Sequence, residues 1–119
     1  MTSHPTTFHL SITGLRLKPG LMNRLRFHYH AVRSHMQAQK AEGVLHVAAR
    51  RVNGVEHTVS AWRDREAMLA FVRSGAHLEA MKAFRRIAEG STFSQVSDRI
   101  PEWPEVHALW KLQGVRYER

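Results

Sequence analysis

His77 is the side chain whose type and position best suit chemistry. It follows Ser74-Gly75-Ala76 directly, and the glycine predicts a break in a helical segment that can turn a side chain into a cavity. An imidazole with a near-neutral pKa can carry a proton or, when neutral, bind a metal ion. We expect either such a functional role or a partly buried histidine that is hydrogen-bonded to a neighbour.

The first strand-like segment offers a second histidine. His9 and Ser11 alternate with Phe8, Leu10 and Ile12, so both side chains share the sheet face opposite those apolar residues. If the apolar residues pack against the helices, His9 faces a dimer partner. If the assignment is reversed, His9 and Ser11 line the pocket.

Metal and nucleotide chemistry are not expected. His28, His30 and His35 lie close together, but only His28 and His35 share a helix face, and histidines four apart with a carboxylate would be the more persuasive zinc pattern. The chain has no glycine-rich phosphate loop, nucleophile elbow or acidic metal cluster, so nucleotide and phosphoryl chemistry are not predicted.

Asn53-Gly54 gives the strongest structural signal in the chain. It separates two strand-like runs, which favours a two-residue type I′ hairpin turn because both turn positions need positive φ. Such a turn predicts four facing pairs, which are Val52 with Val55, Arg51 with Glu56, Arg50 with His57, and Leu45 with Trp62. Both faces of the hairpin hold apolar residues, so we expect a sheet that is covered on both sides.

Two helical segments flank this hairpin. Residues 21 to about 41 carry apolar side chains at spacings of three and four, which predicts an amphipathic helix, whose stripe normally faces the core; the stripe is Leu21, Leu25, Tyr29, Val32 and Met36. The second segment begins at a predicted cap, Asp64, and runs to Gly90 as one kinked helix or two short ones.

The element order predicts the fold. Alternation over residues 6–17 and 91–100 completes the order strand, helix, strand, strand, helix, strand. This order gives an α+β, ferredoxin-like βαββαβ domain with a four-stranded antiparallel sheet and both helices on one face. The other face would be bare in a monomer, so we expect a homodimer in the form of a dimeric α/β barrel.

Length and composition indicate one ordinary domain. The 119 residues form a core over about 6–100 and a C-terminal extension over 101–119, in which Trp103, Trp110 and Leu112 cover a sheet edge or pack on the partner. The net charge is +8, but the arginines are spread along the chain, so nucleic acid is not expected as a partner. With no cysteine, no signal-like start and no apolar run of spanning length, we expect a cytoplasmic protein without a membrane partner.

The stretch from Trp62 to His77 resembles a known family. Trp62 at a strand end, then Arg63-Asp64-Arg65-Glu66-Ala67-Met68, Phe71 and Ser74-Gly75-Ala76-His77, resembles the antibiotic-biosynthesis-monooxygenase type of dimeric α/β barrel. It is also similar to spheroidene-monooxygenase-like proteins. The resemblance spans about 8–97 and implies the βαββαβ fold, a homodimer and a pocket between sheet and helices in each protomer.

The same superfamily contains a haem-degrading branch, and this chain departs from it. The branch has its haem-ligating histidine about one helical turn beyond the place of His77, where this chain has Met81. Its first-strand asparagine has no clear match, since His9 and Ser11 occupy that region. The cofactor is therefore left open between none and haem.

Two functions are consistent with the sequence. One is a monooxygenase-like enzyme for a small, largely apolar organic molecule, with His77 as proton carrier or haem ligand and a pocket formed by Trp62, Phe71, Met81, His9 and Ser11. The other is a non-catalytic dimer that binds a ligand or a polyanion through its basic surface.

Overall fold

The computed structural model describes residues 7–113 and 115–116 of the chain. Its elements are β1 (Phe8–Leu17), α1 (Leu21–Gln39), β2 (Val44–Val52), β3 (Val55–Trp62), α2 (Arg65–Val72), α3 (Gly75–Ile87), β4 (Ala88–Ser97), α4 (Trp103–Gln113) and β5 (Val115–Arg116). The sheet has the order β2-β3-β1-β4-β5 with antiparallel neighbours. This confirms the predicted α+β, ferredoxin-like fold, to which β5 adds a fifth strand. Residues 1–6, including the predicted strand start at Thr6, lie outside the described part.

The β2–β3 hairpin is built as predicted near its turn and differently at its open end. Asn53 and Gly54 both have positive φ, 51° and 78°, as a type I′ turn requires. The first three predicted pairs are confirmed. The fourth is wrong, because the register shifts between Val44 and His46 and places Val44 opposite Trp62. Leu45 is the extra residue of this bulge and is exposed.

The two faces of the sheet are covered by different helices. Leu10 and Ile12 are buried with Val59, Phe93 and Val106 in one cluster. Val106 belongs to α4, so the C-terminal helix of the same chain covers the face that was predicted to be bare. That prediction was wrong, and the argument for a homodimer that rested on a bare face no longer applies; the homodimer itself stays a prediction.

The aromatic residues of the extension take part in this layer. Trp103 and Trp110 pack against the cluster under α4, whereas Leu112 is 82% exposed. Trp110 lies over Gly14, where an added Cβ would fall 2.3 Å from the indole. The indole Nε1 donates a hydrogen bond to the Ser91 carbonyl at 3.1 Å. Gly14 therefore makes room for the residue that anchors α4 on the sheet.

A pair of buried histidines also joins α4 to the sheet. His57 Nδ1 lies 3.1 Å from the Thr13 carbonyl, which can only accept, so this nitrogen carries the proton. His57 Nε2 therefore accepts from His107 Nδ1 at 2.9 Å. Burial lowers the pKa of both rings, and nearby Arg16 lowers both further. Both histidines are therefore favoured in their neutral form where α4 packs on the sheet.

The second helical segment is two helices. The Asp64 side chain accepts a hydrogen bond from the Ala67 N–H at 2.8 Å, so the predicted cap is confirmed. A short connection around Ser74 separates α2 from α3. The predicted end at Gly90 is wrong, since α3 ends at Ile87 and β4 starts at Ala88. Gly90 lies within β4 opposite Leu15, whose side chain occupies the place of a Cβ.

The orientation of α1 also differs from its expected one. The predicted stripe does not face the core: exposure is 70% at Leu21, 54% at Leu25, 57% at Tyr29, 42% at Val32 and 51% at Met36. Instead, α1 packs on α3 through its other side.

No helix among residues 7–113 is long and apolar enough to pass through a bilayer.

Candidate functional site

A cleft of about 1140 Å³ separates the sheet from the layer formed by α1, α2 and α3. Its floor is the sheet face that carries the odd-numbered residues of β1. Its walls and roof are mostly apolar; they include Phe27, Ala31, Val32, Met68, Leu69, Phe71, Val72, Met81 and Phe84. A large cleft with apolar walls and a few polar groups is the usual form of a site for a small organic molecule.

Six hydroxyl groups form the centre of the floor. They lie in two rows across β3, β1 and β4, one of serines and one of threonines: Ser60, Ser11 and Ser94, then Thr58, Thr13 and Thr92. Residues that face each other across antiparallel strands have Cβ atoms about 4.5–5.5 Å apart. The floor therefore presents a compact grid of groups that can both donate and accept hydrogen bonds.

Part of this grid is oriented by hydrogen bonds within the chain. The Thr92 hydroxyl donates to the Ile12 carbonyl at 3.0 Å, and its oxygen lies 3.2 Å from the Thr13 hydroxyl. Because Thr92 has only one hydroxyl proton, Thr13 is the donor between the two. Ser60 Oγ accepts a hydrogen bond from Trp62 Nε1 at 2.9 Å.

Trp62 and Phe71 close one end of the cleft. Trp62 is fully buried, and its ring stacks on Phe71 with a centroid separation of 5.0 Å. Both belong to a cluster that includes Ala38, Ala67 and Met68. This end is therefore a rigid aromatic wall that is held by α1 and α2 together.

His77 lies beside this aromatic wall and lines the cleft. Its ring centroid is 4.5 Å from that of Phe71. Its Nδ1 lies 3.3 Å from the Val72 carbonyl, which can only accept, so Nδ1 holds the proton and Nε2 has the free lone pair. Burial lowers the pKa of His77, and the Val72 carbonyl opposes part of that effect. A neutral imidazole with a free Nε2 can accept a proton.

Gln37 of α1 fixes the position of His77. Its Oε1 accepts from the His77 backbone N–H at 2.9 Å, and its Nε2 donates to the Ser74 carbonyl at 3.1 Å. Gly75 has a φ of 55°, which favours glycine, and a Cβ there would lie 2.8 Å from Gln37 Oε1, so a larger residue would displace this amide. The helix therefore breaks before His77 as expected, and the hydrogen bonds from Gln37 of α1 stabilise the break.

The structure brings together all but one of the predicted site residues. Trp62, Phe71, His77, Met81 and Ser11 all line the cleft, and the assignment in which the odd-numbered residues of β1 face it is the correct one.

His9 is the exception. It lies opposite Trp62 on β3 but does not line the cleft, because Trp62 closes that end. Its Nε2 is buried without a hydrogen-bond partner among the described residues. Burial, followed by the charge of Arg65, lowers its pKa.

The sequence interpretation missed most of the hydroxyl grid and the role of Gln37. The grid has a sequence signal, since each of three strands carries two hydroxyl residues at a spacing of two: Ser11 and Thr13, Thr58 and Ser60, Thr92 and Ser94. A shared face within a strand follows from this spacing. The contact between Gln37 and residues 74–77 has no such signal, because it joins separate elements.

The histidines around the cleft do not form a metal cluster. His28 and His35 line it as well, but residues 7–113 contain no group of three His, Cys, Asp or Glu side chains placed to hold a metal ion. Met81 lines the cleft at the place where the haem-degrading branch has its ligating histidine. This position therefore lacks the ligand of that branch, whereas His77, about one turn earlier, also lines the cleft.

Comparison with known proteins gives matches in structure and none in sequence. No family model and no curated protein matches the chain. SnoaB from Streptomyces nogalater, a cofactor-independent oxygenase, is similar with a TM-score of 0.61 at 11% identity, over 82% of this chain and 97% of that one. A candidate antibiotic biosynthesis monooxygenase from Nitrosomonas europaea gives 0.65 at 10% identity, over 78% and 99%.

A third solved structure has the same fold. It is a conserved Bacteroides thetaiotaomicron protein of unknown function, described as a possible oxidoreductase, with a TM-score of 0.64 at 14% identity over 79% of this chain and 100% of that one. The regions that match span nearly the whole of these shorter relatives. The chain therefore has the ferredoxin-like fold of the antibiotic-biosynthesis-monooxygenase-like proteins.

Proposed function

We propose that this protein is a monooxygenase-like enzyme that binds a small, largely apolar organic molecule in the cleft and uses His77 as a proton acceptor. The observation that carries the proposal is the position of a neutral imidazole, with Nε2 free, on the wall of a large apolar cleft. The fold shared with SnoaB is consistent with this chemistry, although fold alone does not determine function.

The lining of the cleft favours a flat molecule with oxygen substituents. Trp62 and Phe71 offer an aromatic wall, and the apolar roof lies over a floor of serine and threonine hydroxyls. An aromatic ligand would pack against the wall, while its carbonyl or hydroxyl groups would hydrogen-bond to the floor. Such binding would hold an acidic C–H or O–H group near His77.

In the proposed reaction the substrate supplies the electrons. His77 removes a proton from an activated CH₂ group, and the resulting carbanion is oxidised by O₂. The overall change, CH₂ + O₂ → C=O + H₂O, balances without another reductant, because one oxygen atom enters the product and the other leaves as water. The role of His77 is general base catalysis, which contributes typically about 10²–10⁴-fold to a rate.

The test compares His77→Ala and His77→Gln with the wild type. His46→Ala is the matched control, because His46 is exposed and does not line the cleft. Hydroxylated polycyclic aromatics with an acidic CH₂ group are offered under ¹⁸O₂, and product labelling and O₂ uptake are measured. Binding is followed by quenching of tryptophan fluorescence, to which Trp62 contributes.

We expect both His77 variants to lose turnover by about 100-fold or more, with ligand affinity little changed and the control unaffected. Turnover retained in His77→Ala would remove the proposed role of His77. Ligand binding without turnover by the wild type would favour the non-catalytic binding protein. A saturable Soret shift on haem titration that is lost in His77→Ala would instead place a haem at this residue.

A further inference from the structure

The exposed side of α1 is an apolar surface that no described part of the chain covers. Met22, 59% exposed, adds to the stripe. At 100° per residue the six side chains fall within an arc of about 100°, and from the first to the last they extend over roughly 23 Å of helix at 1.5 Å per residue. They are Leu21, Met22, Leu25, Tyr29, Val32 and Met36.

The charged residues that α1 itself places beside this stripe are all arginines. Residues 21–39 contain three arginines and no aspartate or glutamate. Arg26 lies within one helical turn of Met22 and Tyr29, and Arg33 lies within one turn of Tyr29 and Met36. The Arg33 guanidinium lies over the Tyr29 ring, 5.4 Å from its centroid, and also 3.5 Å from Glu79 on α3.

A cationic depression adjoins the stripe on the side of α3. Arg26, Lys82 and Arg86 line it together with Ala83 and Ile87. All three cations are exposed, and none of them forms an ion pair within the described part of the chain. Three unpaired cations around one depression attract an anion that has several oxygens, such as a phosphate group.

The pattern of charge argues against a second copy of the chain as the occupant. Met22, Leu25, Tyr29, Val32 and Met36 have the 3-4-3-4 spacing of a helix-pairing seam. The positions beside such a seam decide partner choice, and here they hold Arg26 and Arg33 on one edge and His28 and His35 on the other. An antiparallel pair of α1 helices would place the arginine edges of the two copies together. A parallel pair would place the arginine edge beside the histidine edge, and residues 21–39 offer no carboxylate to pair with the arginines.

We propose that α1 binds in the surface of a membrane that contains anionic phospholipids. The apolar stripe would enter the boundary of the acyl chains, as amphipathic helices with basic flanks do. Arg26, Lys82 and Arg86 would contact headgroup phosphates, and Tyr29 suits the interface because its ring is apolar and its hydroxyl polar. Binding of this kind needs no spanning segment, so it does not conflict with the short apolar runs of the chain.

This surface is connected to the cleft. Val32 and Met36 belong to the stripe and also line the cleft. A membrane-bound α1 would therefore bring the opening of the cleft to the lipid surface, from which an apolar molecule could enter. The inference does not depend on the role of His77, and its test measures binding without turnover.

The test is cosedimentation of the full chain with vesicles. Vesicles of phosphatidylcholine with roughly one third phosphatidylglycerol are compared with vesicles of phosphatidylcholine alone. Leu25→Glu places a charge in the stripe, and Leu112→Glu makes the same change at an exposed leucine of α4. Arg26→Glu and Lys111→Glu form a second matched pair, since both residues are exposed and the change in net charge is equal.

We expect the wild type to bind the anionic vesicles and to be released by added salt. Leu25→Glu should weaken binding by about tenfold or more, and Arg26→Glu by about tenfold, while the two α4 variants stay close to the wild type. Equal binding to neutral vesicles, or equal effects of the α1 and α4 variants, would overturn the proposal. The proposal would also be overturned if the wild type did not bind vesicles and instead formed a dimer, seen in sedimentation velocity, that Leu25→Glu dissociates.

Discussion

Gly14 lets the indole of Trp110 lie against β1, and one added methyl group tests this packing. A Cβ at position 14 would fall 2.3 Å from Cε2 and 2.4 Å from Nε1 of Trp110, well inside the roughly 3.5–4.0 Å of a favourable contact. Overpacking of this kind costs about 1–3 kcal/mol, whereas alanine is favoured over glycine in a strand by roughly 0.5–1 kcal/mol. We therefore expect Gly14→Ala to lower the free energy of unfolding by about 1–2 kcal/mol.

The second half of this test removes the indole. In a Trp110→Leu background, Gly14→Ala should raise the free energy of unfolding by about 0.5 kcal/mol, because only the gain in strand preference remains. Urea unfolding of the four proteins gives a double-mutant cycle with an expected coupling of about 2 kcal/mol. If Gly14→Ala costs the same in both backgrounds, α4 does not cover this face of the sheet, and a sheet-to-sheet homodimer becomes the better account of it.

Two further predictions concern the cap of α2 and the histidine pair. Asp64→Ala should lower Tm by about 4 °C, because the Ala67 N–H loses its acceptor, whereas Asp64→Ser should retain most of the stability; equal loss in both would contradict the capping role. The lowered pKa values of His57 and His107 mean that the unfolded chain binds more protons below about pH 6.5, so stability should be full above that pH and fall as the pH drops towards 5. His107→Leu should reduce this dependence in urea unfolding at pH 7.5 and pH 5, and an unchanged dependence would show that the pair is not its source.

Local signals predicted the fold well where a residue type strongly favours one local structure, such as a turn or a helix cap. Asn53-Gly54 determines the hairpin because both residues have positive φ, and Asp64 starts α2 because it accepts from the Ala67 N–H. The predicted pairing of Leu45 with Trp62 was wrong because a β-bulge has no signal within its own strand. The role of α4 was missed for a similar reason, since nothing in residues 103–113 says which face of the sheet they cover.

The candidate site was predicted in part. His77 and Phe71 follow from local features, namely the break at Ser74-Gly75 and the apolar face of α2. The serine and threonine rows depend on the pairing of β1 with β3 and β4, which is set across more than 40 residues of chain. The sequence left two faces open for His9, and the structure places it beside Trp62, which is adjacent only through that pairing.

The unexpected orientation of α1 is what keeps the cleft open. If Leu25 and Tyr29 also faced the sheet, their bulky side chains would occupy much of the 1140 Å³ between the layers. The residues of α1 that line the cleft include the small or polar Ala31, Ser34 and His35, beside the apolar Phe27, Val32 and Met36. One rotation of the helix therefore produces both an open cleft and an exposed apolar stripe. A helix pattern specifies that a face is apolar and not what covers it, so both features became visible only in the folded chain.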